Sequence, residues 1–244
     1  DGQQIADATS IMTINDFRTE DVTKGGQGAP LVPIGDRHLF AEFPICLNIG
    51  GIANVSYEMN DKRIAYDICI ANQLLNYLSN KLGYDYDNNG NFASQGSVNQ
   101  DLFDKLNDNP YYGKSHPKSL GREFFEEVQH KLVDDSKLDV KDLLRTATEH
   151  IAFQIAKSTE QLEKSKMLIT GGGAKNTFLI NRICDLSKHE IIIPDTTIID
   201  YKEALIFAFL GVLKYERKTN VLSSVTGAAS DSSSGKIYLP HNNK

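Results

Sequence analysis

The chain is poor in the residues that hold small secreted or metal-bound domains together. It has three cysteines in 244 residues. Cys46, Cys69 and Cys184 lie far apart with no C-x-x-C spacing, so the expectation is buried thiols in a reducing compartment and no disulfide framework. The six histidines are scattered, and none pairs at i, i+4 around a glutamate, which removes the usual zinc-helix signal. No apolar run approaches the roughly 20 residues that cross a bilayer, and no signal-peptide pattern opens the chain. A soluble, cytoplasmic protein with no membrane partner is therefore expected. Basic charge is also short. With 26 Lys and Arg against 32 Asp and Glu, the net charge is −6, whereas binding a phosphate backbone needs a basic surface, so no nucleic-acid partner is expected. No Gly-x-Ser-x-Gly elbow is present to carry a nucleophilic serine. Collagen-like, coiled-coil and disulfide-scaffold classes fail on composition.

What is present is ordinary for a globular protein, at 40% hydrophobic and 24% charged residues. A chain of this length buries roughly 70–75% of its unfolded surface, so it needs no covalent or metal staple. Asp1-Gly2 reads as a turn between strands, with Ile5-Ala6 and Ile11-Met12-Thr13-Ile14 as strand material. A domain rarely begins inside a sheet, so residues upstream are expected. Residues 1–43 read as short strands followed by the loop Lys24-Gly25-Gly26-Gln27-Gly28-Ala29-Pro30. A strand-length apolar run, Phe43-Pro44-Ile45-Cys46-Leu47-Asn48-Ile49, then stops at Gly50-Gly51. Residues 54–57 and 63–66 flank Asn60-Asp61 as a hairpin. Helical periodicity covers residues 72–82, with Leu74, Leu75, Leu78 and Leu82 on one face, and ends at Gly83. Residues 83–96 read as loop. Helices are predicted at 98–106, 121–132, 140–162, 177–186 and 202–215, strands at 166–170 and 190–194, and loop at 223–235. Strands followed by helices alternating with single strands indicate α/β architecture, a mixed sheet covered by helices.

Three constellations could carry chemistry. Asn48-Ile49-Gly50-Gly51-Ile52-Ala53-Asn54 places two glycines at a hairpin tip, where backbone N–H groups can approach an anion and the two asparagines add neutral donors. A plain Gly-Gly hairpin has the same spacing. Thr170-Gly171-Gly172-Gly173-Ala174-Lys175-Asn176 joins a strand to a helix N-terminus, the nucleotide-binding corner of an α/β sheet. It matches neither G-x-G-x-x-G nor the P-loop, and a tight turn without ligand explains it equally. In Ile14-Asn15-Asp16-Phe17-Arg18, the acid at a strand end could serve as a general base, although isolated Asp-x-Arg pairs are more often structural ion pairs. Asp85-Tyr86-Asp87-Asn88-Asn89-Gly90 imitates the start of a calcium loop. Position 12 would be Gly96 where a bidentate glutamate is required, so calcium is rejected and no protein-held metal site is expected.

Several segments in register go further than any one of them. Gly25-Gly26-Gln27-Gly28-Ala29-Pro30-Leu31-Val32-Pro33, Leu47-Asn48-Ile49-Gly50-Gly51-Ile52-Ala53-Asn54, Pro117-Lys118-Ser119-Leu120-Gly121-Arg122-Glu123 and Gly171-Gly172-Gly173-Ala174-Lys175-Asn176 occur in that order. With Asp16-Phe17-Arg18 and Ser224-Val225-Thr226-Gly227-Ala228, the chain resembles the anhydro-N-acetylmuramic acid kinases of the sugar kinase/Hsp70/actin superfamily, from residue 1 to about 240. The resemblance implies two lobes around a cleft, each on a ribonuclease-H-like sheet. Residues 1–43 would be a remnant of the N-terminal lobe and 44–244 the C-terminal lobe, the final segment packing back on the first. It also implies ATP-dependent opening of the 1,6-anhydro bond with phosphorylation of O6, giving N-acetylmuramic acid 6-phosphate in peptidoglycan recycling, with Mg²⁺ neutralising the phosphates.

The same resemblance assigns roles by position. Asp16 would activate the attacking water, and Glu203, in Lys202-Glu203-Ala204 at a helix start, would help to hold it. Asn48, Gly50, Gly51 and Asn54 would form the second phosphate loop, and Gly171, Gly172, Gly173 and Asn176 would cradle the adenosine. Arg18, Asp67, Asn72, Lys118, Ser119, Arg122 and Glu123 would face the sugar, the last four alternatively forming a capped helix start with a surface ion pair. A homodimer is compatible. Two departures stand out. The family's first phosphate loop, a Gly/Ser/Thr-rich turn ending in Asp-Gly, is absent from these residues, so the polypeptide alone is expected to be inactive. Asp67-Ile68-Cys69-Ile70-Ala71-Asn72 stands where members read Asp-Thr-Gly-Pro-Gly-Asn, keeping only the outer Asp and Asn and placing Cβ atoms where backbone could approach closely. A nucleotide-binding module without catalysis, or a kinase of another sugar, is the competing reading.

Overall fold

The chain opens on a helix, not on the strand material expected there. In the computed structural model, which describes residues 1–241, the Asp1 carboxylate accepts the Gln3 N–H at 2.8 Å and caps α1 (Gly2–Thr9). An aspartate before the first turn satisfies an otherwise orphaned donor, so Asp1-Gly2 is a helix cap and not a strand turn. Next come β1 (Thr13–Asn15), α2 (Thr19–Thr23) and α3 (Pro33–Leu39). The last starts on a proline, a position where the missing N–H costs nothing. The region expected to hold short strands therefore carries three helices and one three-residue strand.

The following stretch matches the reading of the sequence closely: β2 (Ile45–Ile49), β3 (Ile52–Met59), β4 (Lys62–Ile70) and α4 (Asn72–Asn80). Asn60 and Asp61 both take positive φ, 52° and 61°, which suits a two-residue hairpin turn. α5 (Gln100–Asn107), α6 (Arg122–Phe124), α7 (His130–Asp135) and α8 (Val140–Thr159) come next, with a π-turn at Phe125–Gln129 interrupting the predicted continuous helix. β5 (Lys166–Thr170), α9 (Thr177–Leu186), β6 (Glu190–Ile192), α10 (Thr196–Tyr215), α11 (Ser223–Thr226) and β7 (Lys236–Tyr238) complete the chain. α10 begins six residues earlier than expected because the Asp195 carboxylate accepts the Ile198 N–H at 3.0 Å. The tail is not all loop, since it holds α11.

The residues form two compact units. The first comprises Asp1–Ala41, Glu58–Ala65 and the chain from Tyr201 onward. In it β1 pairs antiparallel with β7, Thr13 opposite Tyr238, and Phe17, Leu31, Ile34, Leu210, Leu213, Val221, Leu222 and Val225 share one core. Asp36, 4% exposed, lies 2.7 Å from the Lys202 ammonium and 3.8 Å from the Arg63 guanidinium, so its buried charge is offset.

The second unit comprises Glu42–Tyr57 and Tyr66–Asp200. The five-stranded sheet runs in the order β4-β3-β2-β5-β6, with β2 antiparallel to β3 and parallel to β5, and β5 parallel to β6. Three meandering strands followed by two parallel ones is the ribonuclease-H-like order expected for this chain. β2 and β5 are buried almost throughout, which is why both read as short unbroken apolar runs. α8 packs against α4, α5 and α9 and holds fully buried His150. The His150 imidazole lies 2.8 Å from the Asn107 amide oxygen and 3.3 Å from the Tyr112 hydroxyl. Burial lowers its pKa to about 3, which keeps the ring neutral.

Cys46 and Cys69 are buried as expected, but Cys184 is exposed on α9, because the buried stripe of that helix passes through Leu179, Ile180 and Ile183. No helix among the described residues is long and apolar enough to cross a membrane.

Candidate functional site

Two glycine turns meet at the ends of neighbouring strands. Asn48 and Asn54 are directly opposite one another across β2 and β3, and Asn48 is aligned with Thr170 on β5. The hairpin tip is tied down from the other side: the N–H groups of Ala71 and Gln73 donate to the Gly51 carbonyl at 2.8 and 3.2 Å, and that of Asn72 to Gly50 at 3.1 Å. The Asn72 amide also donates to the Ile49 carbonyl at 3.0 Å. Ile68, Cys69, Ile70 and Ala71 are at most 1% exposed. The Cβ atoms that replace the family's Thr and glycines therefore point into the core, and their added volume is taken up by packing.

The triglycine turn is built for close approach. Gly171 has φ +83°, and a Cβ there would lie 2.6 Å from the Asn48 side-chain oxygen. A Cβ on Gly173 would meet the Ile49 side chain at 2.3 Å. Only glycine allows the turn to fold against the end of β2 in this way. Gly172 differs, since its nearest neighbour would be the Asn72 amide at 3.6 Å. Asn176 then caps α9, accepting the Leu179 N–H at 3.0 Å.

A cavity of about 380 Å³ opens beside these turns, lined by Asn72, Leu75, Tyr86, Asn89, Gly172 and Asn176 among others. Its size and its mixture of aromatic, aliphatic and amide groups suit a nucleoside-sized ligand. Sequence reasoning missed one wall. Residues 86–89 lie in the segment read as loop and rejected as a calcium site. The Asp87 carboxylate accepts the Phe92 and Ala93 N–H groups, both at 2.9 Å, so it organises its own turn. A Cβ on Gly90 would collide with Phe178 at 2.5 Å, so this turn lies tight against the start of α9. The density of Asp and Asn in residues 85–91 was the available signal. Lys175, another lining residue, is ion-paired to Asp200.

Further along the same unit, Asp67 and the Lys118 segment are joined. The Asp67 N–H donates to the Lys118 carbonyl at 3.3 Å, and its carboxylate accepts the Leu120 N–H at 2.9 Å. Burial raises the Asp67 pKa, and the Leu120 bond opposes the rise. Ser119 is exposed, and exposed Arg122 pairs with Glu126 at 2.7 Å. The carboxylate of Glu123 lies over Gly121, where a Cβ would sit 1.9 Å from it. Arg122 and Glu123 thus sit in the first turn of α6, which has Gly121 at its cap and no side-chain capping hydrogen bond.

In the first unit, Asp16 takes φ 59° at the end of β1 and accepts the Thr19 hydroxyl at 2.6 Å. Its cation is Lys236 at 3.0 Å and not Arg18, which instead donates to the Gly28 carbonyl at 2.6 Å. Hydrogen bonds from Thr19 and then Lys236 hold the Asp16 carboxyl below the usual range. Glu203 is exposed, two turns inside α10 and not at a helix start, since Asp195 caps that helix further upstream.

The family model described as anhydro-N-acetylmuramic acid kinase matches residues 1–240. The chain belongs to that family. Among curated relatives, the anhydro-N-acetylmuramic acid kinase of Actinobacillus pleuropneumoniae serotype 7 (strain AP76) is 36% identical over 96% of this chain and 67% of its own length. That of Pasteurella multocida (strain Pm70) is 37% identical over 98% of the chain and 67% of its own length. The chain thus spans about two thirds of these kinases. A looser likeness, at TM-score 0.46 and 14% identity over 76% of the chain and 66% of the other, is to the activator of the 2-hydroxyisocaproyl-CoA dehydratase from Clostridium difficile with bound ADPNP.

Proposed function

We propose that the chain carries the nucleotide- and sugar-handling residues of an ATP-dependent kinase that opens the 1,6-anhydro bond of anhydro-N-acetylmuramic acid and phosphorylates O6. The observation that supports this most is the cavity beside the two glycine turns. Gly172 leaves backbone accessible there, and the amides of Asn72, Asn76, Asn88, Asn89 and Asn176 line it, with Asp87 and Lys175 as its charged groups. Neutral donors can bind phosphate oxygens without an opposing charge, which suits a group that must leave after transfer. The adenosine would rest between Tyr86, Leu75 and the triglycine turn. Asp16, held ionised, would take the proton of the water that attacks the anomeric carbon, and the freed O6 would attack the γ-phosphorus. Glu203 would help to orient that water, and Arg18, Asp67, Asn72, Lys118, Ser119, Arg122 and Glu123 would face the sugar.

Among the described residues no group of three His, Cys, Asp or Glu could hold a metal. Mg²⁺ would arrive with ATP, held chiefly by phosphate oxygens and water. When bound with ATP, the ion supplies charge neutralisation. A cytoplasmic homodimer working in peptidoglycan recycling is the setting the proposal implies.

ADP release from Mg-ATP, with and without the anhydro sugar, tests the reading, together with calorimetric titration of ADP. Nucleotide binding by the chain is expected. Turnover by the 244 residues alone is expected to be negligible, because one of the two glycine-rich phosphate turns is not among them, and to rise when that turn is supplied. Binding of ATP without sugar-stimulated turnover even then would favour a non-catalytic module. Turnover with other amino sugars only would favour a different substrate. Absence of nucleotide binding would sink the proposal.

A further inference from the structure

We infer that Lys118 is the anion-recognition residue of the sugar site, the group that takes the carboxylate of an acidic amino sugar and so separates it from neutral ones. This deepens the kinase reading above and rests on it. The Lys118 ammonium lies 4.7 Å from the Tyr111 ring centroid and 5.3 Å from that of Tyr66. Its one hydrogen bond is a long one, 3.4 Å to the Tyr111 carbonyl. Among the described residues no carboxylate oxygen lies within ion-pairing distance of it. The contrast with Lys202 is direct: that ammonium is also removed from water, yet it sits 2.7 Å from Asp36. Burying a cation without an anion is costly, so a half-buried lysine between two aromatic faces is poised for an anion from outside.

The surroundings are arranged to keep it so. From Pro110 to Arg122 the sequence contains no acid, in a chain of net charge −6, while Lys114, His116 and Lys118 follow one another at every second position. Burial, followed by the charge of Lys114, lowers the Lys118 pKa, and an arriving anion would relieve both effects. The strap is fixed in place by Asp67, whose N–H holds the Lys118 carbonyl and whose carboxylate holds the Leu120 N–H. The Asp67 carbonyl in turn accepts the Tyr111 hydroxyl at 2.6 Å, and the His116 ring stacks on Tyr66 with 12° between planes. Asp67 is thus a positioning residue for Lys118.

The strand spacing separates this anion from the phosphates. Asp67 lies in β4 four residues before Ala71, which bonds Gly51 just beyond the strand's end, or about 13 Å of extended chain. A lysine tethered beside Asp67 therefore serves a different group from one bound at the glycine turn. The sugar acid after which the related kinases are named carries a carboxylate that a neutral amino sugar lacks.

Calorimetric titration of the 244-residue chain with 1,6-anhydro-N-acetylmuramic acid and with its methyl ester tests this, with ADP titrated alongside. The free acid is expected to bind at least about tenfold tighter than the ester. That preference should fall below about twofold in Lys118→Met, survive in part in Lys118→Arg, and shrink as salt is added, with ADP affinity unchanged throughout. Equal binding of acid and ester by the unaltered chain, or a preference that persists in Lys118→Met, overturns the assignment. So does a Lys118→Met variant that loses ADP and not the sugar acid, which would make the anion a nucleotide phosphate. ADP binding without either sugar would remove the sugar part of the kinase reading and this proposal together. Sugar discrimination without ADP binding would uphold Lys118 and overturn only the nucleotide assignment.

Discussion

The glycine-rich turns of the two units have similar composition and opposite use. At Gly26 and Gly28, in the turn of residues 25–28, the space that glycine opens is filled from within. The Asp21 carboxylate, 1% exposed, accepts the Gly28 N–H at 2.8 Å and the Thr226 hydroxyl at 2.7 Å, and a Cβ on Gly26 would lie 2.2 Å from it. At Gly50, Gly51 and Gly172 no side chain among the described residues fills the space, since an added Cβ would meet nothing closer than 3.4 Å. The first turn is an anion nest that already holds its anion, whereas the hairpin tip and the triglycine turn keep open glycine positions, Gly172 beside a cavity. A run of glycines thus announces close approach but not by what. The identity of the approaching group decides between structure and function.

The largest expected effect comes from emptying the filled nest. Asp21→Ala removes the charged acceptor of two buried donors and is expected to lower stability by about 3 kcal/mol, measured by urea denaturation, while ADP binding by the folded fraction persists. Loss of ADP binding with stability intact would reverse the contrast. Gly173→Ala drives a methyl group into Ile49 and is expected to cost about 2 kcal/mol, and it should also weaken ADP by disturbing the turn.

Acid separates the two units further, through His150 in the second. Its folded pKa of about 3 lies below its unfolded value of about 6.5. Between those values the unfolded chain binds a proton that the native chain refuses, so stability falls as pH drops. From pH 7 to pH 5 the loss should be about 2 kcal/mol, above the range in which carboxylates titrate. His150→Gln should flatten this slope. The smallest stability effect should come from Gly172→Ala, under about 0.5 kcal/mol because the site is open, yet with ADP affinity reduced several-fold. A variant that binds ADP normally would show that nucleotide does not approach there.

Much of the second unit was legible in the sequence. β2 and β5 are buried on both faces and read as unbroken apolar runs, while α4, α8 and α9 carry helical stripes, the last two behind the polar caps Asp139 and Asn176. Asn60-Asp61 and the two glycine turns mark reversals that their residues favour locally. The first unit was less legible, because its structure depends on distant partners. β1 finds its mate more than 220 residues away at β7, and neither three-residue strand is long enough to show a period. The cavity wall at residues 86–89 was missed for a related reason: Asp87 binds its own turn, and only the tight contact at Gly90 places that turn beside α9.

The sequence by itself determined the α/β class, the two glycine turns, the order of the family segments and the acidic, cysteine-poor character of the chain. All of these follow from local preferences and composition. The tertiary structure alone decided which acid fills which turn, that Asp16 pairs with Lys236 and not with Arg18, and that Asp67 holds the Lys118 strap. Such pairings are not encoded by spacing along the chain. They arise because a buried polar group must find a partner, and folding determines which candidates come within reach.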